Sequence, residues 1–166
     1  MILLPNLSII RLLQSIVIRG QGVNHFMRRY CKLSAIPLNN LKEIFEHLFT
    51  VCNKVNIYFP NITSPEISQY KITFLKAAHI DTVSEEALST EDALEEKEGY
   101  SMVIASLSNE VKDLITNMNT DFHLSLGLIA ESKVLFYIGD EDECIIEDAS
   151  DSTIFSSPLF DMFKPI

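Results

Sequence analysis

Residues 100–148 read YSMVIASLSNEVKDLITNMNTDFHLSLGLIAESKVLFYIGDEDECIIED. Met102 and Ile104 alternate with Val103, Ala105 and Leu107, which predicts a strand. Ser108-Asn109-Glu110 follows as a helix start: a serine oxygen accepts an orphan amide N–H, and a first-turn carboxylate sits at the positive end of the helix dipole. Val111, Leu114, Ile115 and Met118 then share one helical face. Beyond them Phe122, Leu124, Leu126 and Leu128 alternate, Glu131-Ser132 makes a turn, and Val134 to Ile138 pairs back before the acidic loop Gly139 to Glu143. Cys144, Ile145 and Ile146 supply one more short strand. Strand, helix and three strands in that order predict an antiparallel sheet carrying a helix.

A similar order stands upstream. Behind Pro37-Leu38-Asn39-Asn40, the residues Leu41, Ile44, Phe45, Leu48, Phe49 and Cys52 recur at helical spacing, and Asn53 closes the helix. Val55, Ile57 and Phe59 alternate up to Pro60 and predict a strand; Tyr70, Ile72 and Phe74 alternate with Lys71, Thr73 and Leu75 and predict a second. In both halves a capped helix runs through asparagines (Asn53; Asn117 to Asn119) into an alternating strand, the pattern of an internal duplication. The expected class is therefore α+β: antiparallel sheets with two amphipathic helices, admitting two half-repeats. Between the halves, Asp81 to Glu98 holds eight carboxylates and one lysine, a linker by composition, with a helix turn suggested at Ser84-Glu85-Glu86. The organisation expected is a basic unit over 1–79, an acidic connecting segment over 80–99 and a second unit over 100–166. From Leu7 to Leu33, two apolar runs flank Gly20-Gln21-Gly22, and a hairpin and a helix face fit them equally.

Charge is segregated along the chain. Arg11, Arg19, Arg28, Arg29, Lys32 and Lys42 all precede the first carboxylate, Glu43, so the first 42 residues carry +6. The remaining 124 hold all 23 acids against seven lysines, −16, and the total of −10 conceals this polarity. Such an imbalance points to an electrostatic partner for the basic end or to attraction between the two halves. Hydrophobic residues make up 47% of the chain, enough for a real core. Three cysteines, Cys31, Cys52 and Cys144, lack metal-ligand spacing and suggest a reducing compartment, nuclear or cytoplasmic. The apolar N-terminus is broken by Arg11 and Gln14, which argues against a signal peptide or a membrane span.

No catalytic constellation emerges, and no metal or cofactor is expected. His25, His47, His79 and His123 share no ligand spacing, and neither a nucleophile elbow nor a phosphate loop is present. Glu131-Ser132-Lys133 with Asp140 and Asp142 is the one arrangement reminiscent of metal-dependent phosphodiester cleavage, and it reads more simply as solvated turns. Arg28, Arg29 and Lys32, interleaved with His25, Phe26 and Tyr30, could track a phosphate backbone. In a strand Arg28 and Arg29 would point to opposite faces; in a helix they would share a side with Lys32. The C-terminal Phe160, Met162 and Phe163 either pack as a last strand or dock into a partner's groove.

Residues 100–148, together with CKLSAIPLNNLKEIFEHLFTVCNKVNIYF (31–59) and YKITFLKAAHID (70–81), resemble the sliding-clamp family of proliferating cell nuclear antigen and the DNA-damage checkpoint clamp subunits. Gly139-Asp140 stands where such clamps often place a glycine with an acid. The resemblance implies a non-catalytic subunit of a DNA-associated complex, a tether or platform in replication, repair or checkpoint signalling, assembled with other clamp-like subunits. It implies DNA contact through Arg19, Arg28, Arg29 and Lys32. It places Ile80 to Glu98 at the interdomain connecting loop, with Ile80, Val83 and Leu88 contacting partner peptides; Phe160 and Phe163 are candidate partner contacts on the separate ground of the apolar C-terminal tail. The helices depart from the basic character of DNA-facing clamp helices, since they present Glu43, Glu46, Glu110 and Asp113 beside Lys42 and Lys112. The competing reading is a protein-interaction module without nucleic acid, its basic face docked on an acidic protein.

Overall fold

A computed structural model of the chain describes residues 27–80, 93–96, 99–148 and 153–166. Strand β1 (Met27–Lys32) leads through a 3₁₀ turn (Leu33–Ala35) into helix α1 (Leu38–Leu48) and strand β2 (Lys54–Pro60). Helix α2 (Pro65–Ala77), β3 (Ala93–Glu96), β4 (Tyr100–Ser106) and helix α3 (Asn109–Thr116) follow. The chain then forms β5 (Ser125–Ala130), β6 (Lys133–Ile138), β7 (Glu143–Asp148) and, after two 3₁₀ turns, the two-residue β8 (Lys164–Pro165).

All eight strands belong to one sheet in the order β3-β4-β2-β5-β6-β7-β1-β8, and every neighbouring pair is antiparallel. Alternating directions across that order make β1 parallel to β2, and β4 parallel to β5. The chain therefore contains two strand–helix–strand crossovers. β1–α1–β2 steps over β7, β6 and β5, while β4–α3–β5 steps over β2 alone. Their exit strands meet at the middle of the sheet, where β2 and β5 pair from Lys54 opposite Ile129 to Tyr58 opposite Ser125. The fold is α+β, and the two strands of the expected first unit, β1 and β2, are each flanked on both sides by strands of the second.

Alternation sets the faces. Val55, Ile57 and Phe59 of β2, Val103 and Ala105 of β4, Leu126 and Leu128 of β5, and Phe136 and Ile138 of β6 point to one side and are buried. Against them lie Leu41, Ile44, Phe45 and Leu48 of α1, Phe74 and Leu75 of α2, and Val111 and Ile115 of α3, all in one apolar cluster. At roughly 1.5–3 kcal/mol per large buried side chain, this layer is the main source of stability. The helices also touch one another: the Tyr70 hydroxyl donates to the Leu114 carbonyl at 2.9 Å, and the Lys112 ammonium lies 5.8 Å above the Phe49 ring. On the opposite face Asn56 and Gly127 oppose each other across β2 and β5. A Cβ on residue 127 would come within 2.4 Å of the Asn56 Oδ1, so only glycine fits without displacement.

Three expectations change. Residues 70–75 form the second half of α2 and not a strand. Ser64 accepts a hydrogen bond from the Ile67 amide, Pro65 occupies the first helical turn, and Glu66 meets the positive helix end. Tyr70 and Phe74, read as alternate strand positions, are also i and i+4 on a helix, and the cap decides between the two periods. Likewise Phe122 belongs to a 3₁₀ turn, with His123 left-handed at φ 51°, so β5 begins only at Ser125. Part of the expected acidic linker is the edge strand β3, paired with β4. The turn suggested at Ser84-Glu85-Glu86 lies outside the described residues, as does most of 7–33; of that stretch Met27–Lys32 is strand and Leu33 opens the 3₁₀ turn. Glu131 and Ser132, φ 49° and 67°, both adopt the left-handed conformation of a two-residue hairpin turn, as expected.

The helical assignment of 65–77 has a direct test. A strand would put Ile72 and Phe74 on the same face, whereas the helix buries Phe74 completely and leaves Ile72 59% exposed. Phe74→Ala is expected to lose about 3–5 kcal/mol in urea denaturation and Ile72→Ala less than about 0.5 kcal/mol. Comparable losses would contradict the helix.

Candidate functional site

The basic residues of β1 do not form one patch. Strand geometry sends Arg28 and Arg29 to opposite faces. Arg28 pairs with Glu147, directly opposite on β7, at 2.8 Å. Arg29 turns toward the core side, where its Nη2 donates to the Phe155 carbonyl at 3.1 Å and the guanidinium lies 5.9 Å from the Phe155 ring. Lys32 is exposed at the end of the strand. Arg19 lies outside the described residues. Of the four cations expected at a polyanion, one thus faces solvent beside an internal ion pair, and one helps to anchor the C-terminal segment.

That segment is part of the fold. Phe155, Phe160 and Phe163 are buried, with Phe160 and Phe163 ring centroids 6.0 Å apart and Phe163 edge-on to Phe136 at 6.2 Å. His47 of α1 meets the Ile154 carbonyl through Nε2 at 2.6 Å and tilts against Phe160. Lys164 and Pro165 add a last strand to β1. Phe160 and Phe163 are therefore core side chains, 0% and 3% exposed, packed as the C-terminal segment's contribution to the fold. Of the residues expected on the connecting loop, Ile80 is half-buried against the core, and Val83 and Leu88 lie outside the described residues.

The acidic groups separate as well. Glu131 and Lys133 stand at the β5–β6 turn, while Asp140 and Asp142 stand at the far end of β6. Six residues at about 3.3 Å each place the two groups on the order of 17–20 Å apart, too far to share a metal ion. Among the described residues no three His, Cys, Asp or Glu side chains converge on a common point. Asp142 instead joins two loops. Its carboxylate accepts from the Ser34 hydroxyl at 2.6 Å and the Ser34 amide at 2.7 Å, tying the β6–β7 loop to the 3₁₀ turn after β1. Those two hydrogen bonds, hydroxyl first, hold its carboxyl below the usual carboxylate range. Elsewhere burial works in the other direction, pushing the Cys52 thiol up to about 12 and raising the Tyr70 and Tyr137 phenols.

One concave feature went unanticipated. A groove of about 320 Å³ runs between α2 and the end of β2, lined by Phe59, Pro60, Asn61, Thr63, Ile67, Ser68, Lys71, Ile72 and Leu75. Lys71 donates to the Ser101 hydroxyl at 2.8 Å, and that hydroxyl donates to the Asn61 Oδ1 at 3.1 Å, so a polar chain closes one wall. Reading 70–75 as a strand concealed it; the Ser64-Pro65-Glu66 cap was the signal that places Ile67, Lys71 and Ile72 beside one another.

No protein-family model matches this chain, and neither a curated protein nor a solved structure is similar to it in the corresponding comparisons.

Two measurements check these assignments. Arg29→Ala should lower stability by about 1–3 kcal/mol through loss of a charged, partly buried hydrogen bond, and Lys32→Ala should change it by less than about 0.5 kcal/mol. Equal effects would contradict the division of roles along β1. In a carbon-detected NMR titration Asp142 should titrate below an ordinary aspartate, and Ser34→Ala should return it toward the ordinary value. Because the folded pKa is the lowered one, its stabilising contribution is complete above the unfolded aspartate pKa and disappears as pH falls through the folded value.

Proposed function

We propose that this chain is a non-catalytic, clamp-like subunit that acts as a tether or platform in a DNA-associated assembly. The observation that carries this reading is the pair of strand–helix–strand crossovers meeting at β2 and β5, with α1 and α3 side by side on one face of the sheet. That arrangement supports a duplicated half-repeat, which is what the likeness of residues 31–59 and 100–148 to sliding clamps implies. In such a subunit no side chain performs chemistry. DNA is retained by enclosure and diffuse charge, and specificity resides in the proteins held at its surface. Other clamp-like subunits, identical or different, complete the assembly.

A second reading, a protein-interaction module that meets no nucleic acid, draws support from the charges. Arg28 and Arg29 are engaged within the fold, and α1 and α3 expose Glu43, Glu46, Glu110 and Asp113. A helix face of that composition repels a phosphate backbone at short range.

Multi-angle light scattering with small-angle X-ray scattering, on the chain alone and with candidate subunits across several salt concentrations, addresses assembly first. A closed oligomer that is retained on circular duplex DNA and slides off after linearisation is the outcome expected of a clamp. A monomer with no DNA retention and no salt slope in binding would reject tethering to DNA and favour the interaction module.

A further inference from the structure

Cys31 on β1 and Cys144 on β7 are directly opposed in the antiparallel ladder, and both thiols are free. The Leu33 amide donates to the Asp142 carbonyl at 2.9 Å, which makes 33/142 a hydrogen-bonded pair. Two residues along, 31/144 falls in the same class, whose Cα atoms lie roughly 5.5 Å apart. Disulfides span Cα separations of about 4.4–6.8 Å. Both side chains point into the apolar layer, and the charge on one sulfur is felt at the other. The third cysteine is remote: Cys52 precedes β2, which β5, β6 and β7 separate from β1, so four inter-strand spacings of about 4.8 Å lie between them.

We propose that Cys31 and Cys144 form a reversible cross-strand disulfide, a redox modification site that fastens β1 to β7. The oxidant is a small-molecule disulfide such as glutathione disulfide. The Cys31 thiolate attacks one of its sulfurs, the glutathione S–S bond breaks, and one glutathione thiol leaves with a mixed disulfide formed at Cys31. Cys144 then attacks the Cys31 sulfur, displaces the second glutathione and completes the bond. Two protein thiols are oxidised by two electrons, and one glutathione disulfide becomes two thiols that take up both protons. Cys31 is the point of entry, because it keeps 7% exposure where Cys144 has none, and because β8 covers β1 only at Arg29 and Tyr30. Burial raises both thiols above the ordinary range, so the reactive thiolate is scarce and oxidation is slow without an excess of oxidant. Directly opposed strand positions hold their Cβ atoms wider than an unstrained disulfide prefers, which makes the bond readily reducible. This inference does not depend on the clamp reading.

The test uses the full chain incubated with excess glutathione disulfide, followed by thiol titration in denaturant and peptide mapping without reduction. Two of the three thiols should disappear, and a peptide joining 31 to 144, lighter than its parts by two hydrogens, should appear and vanish with dithiothreitol. The oxidised protein should melt several degrees higher, since a closed loop of about a hundred residues restricts the unfolded chain. Cys52→Ala should leave the linkage intact and Cys144→Ala should stop the reaction at a glutathione adduct on Cys31. Retention of three thiols, a link through Cys52, a stable adduct on the unsubstituted chain, or cross-links between chains alone would each overturn the proposal. The peptide map on the unsubstituted chain keeps this decision open even if a variant fails to fold.

Discussion

The antiparallel pairing of β2 with β5 is the constraint on which the rest of the molecule depends. Each is the exit strand of a helical crossover, so their ladder joins the β1–α1–β2 segment to the β4–α3–β5 segment through backbone hydrogen bonds at the sheet centre. Once it forms, β4 has its place on the far side of β2, the β6–β7 hairpin extends from β5, and β1 closes on β7. A slip of one residue would turn Val55, Ile57 and Phe59 away from the helices and expose a whole apolar face. Gly127 suits that register, because a Cβ there would meet the Asn56 side chain at 2.4 Å and force it to shift.

Most of what holds this sheet is non-local. β1 pairs with strands more than a hundred residues away in sequence, and the C-terminal phenylalanines pack beneath a helix from the first third of the chain. Closing such loops costs entropy that only the burial of the complete layer returns. Arg29 illustrates the coupling: its position in the sheet lets a cation of the basic N-terminal region hold the C-terminal segment through a carbonyl and a ring. The attraction between oppositely charged halves is thus partly satisfied inside the fold, by Arg28 with Glu147, rather than wholly presented to a partner.

The helices of 38–48 and 109–116, β2, β4, the β5–β6 hairpin and β7 were legible in the residues as periodic or apolar runs beside turns, although the first helix has no side-chain cap and ends at Leu48, short of the expected Asn53. Residues 70–75 were not, since Tyr70, Ile72 and Phe74 satisfy a period of two while Tyr70 and Phe74 satisfy a helix, and only the Ser64-Pro65-Glu66 start breaks the tie. The acid-rich Ala93 to Glu96 concealed an edge strand, because an edge needs backbone pairing on one side and tolerates charge on the other. Of the candidate contacts, composition located the cations and aromatics correctly in sequence but carried no information on what each side chain would face.

The sequence by itself determined the α+β class, the position of two of the three helices and the alternation that gives the central strands a buried face, because these follow from local periodicity. Tertiary structure alone decided that strands of both halves interleave in one sheet, that Phe160 and Phe163 are core, that Arg28 and Arg29 are parted, and that Cys31 faces Cys144. Each of these depends on which distant strands pair and in what register, and pairing is selected by the burial of the complete apolar layer, a property of the folded chain as a whole.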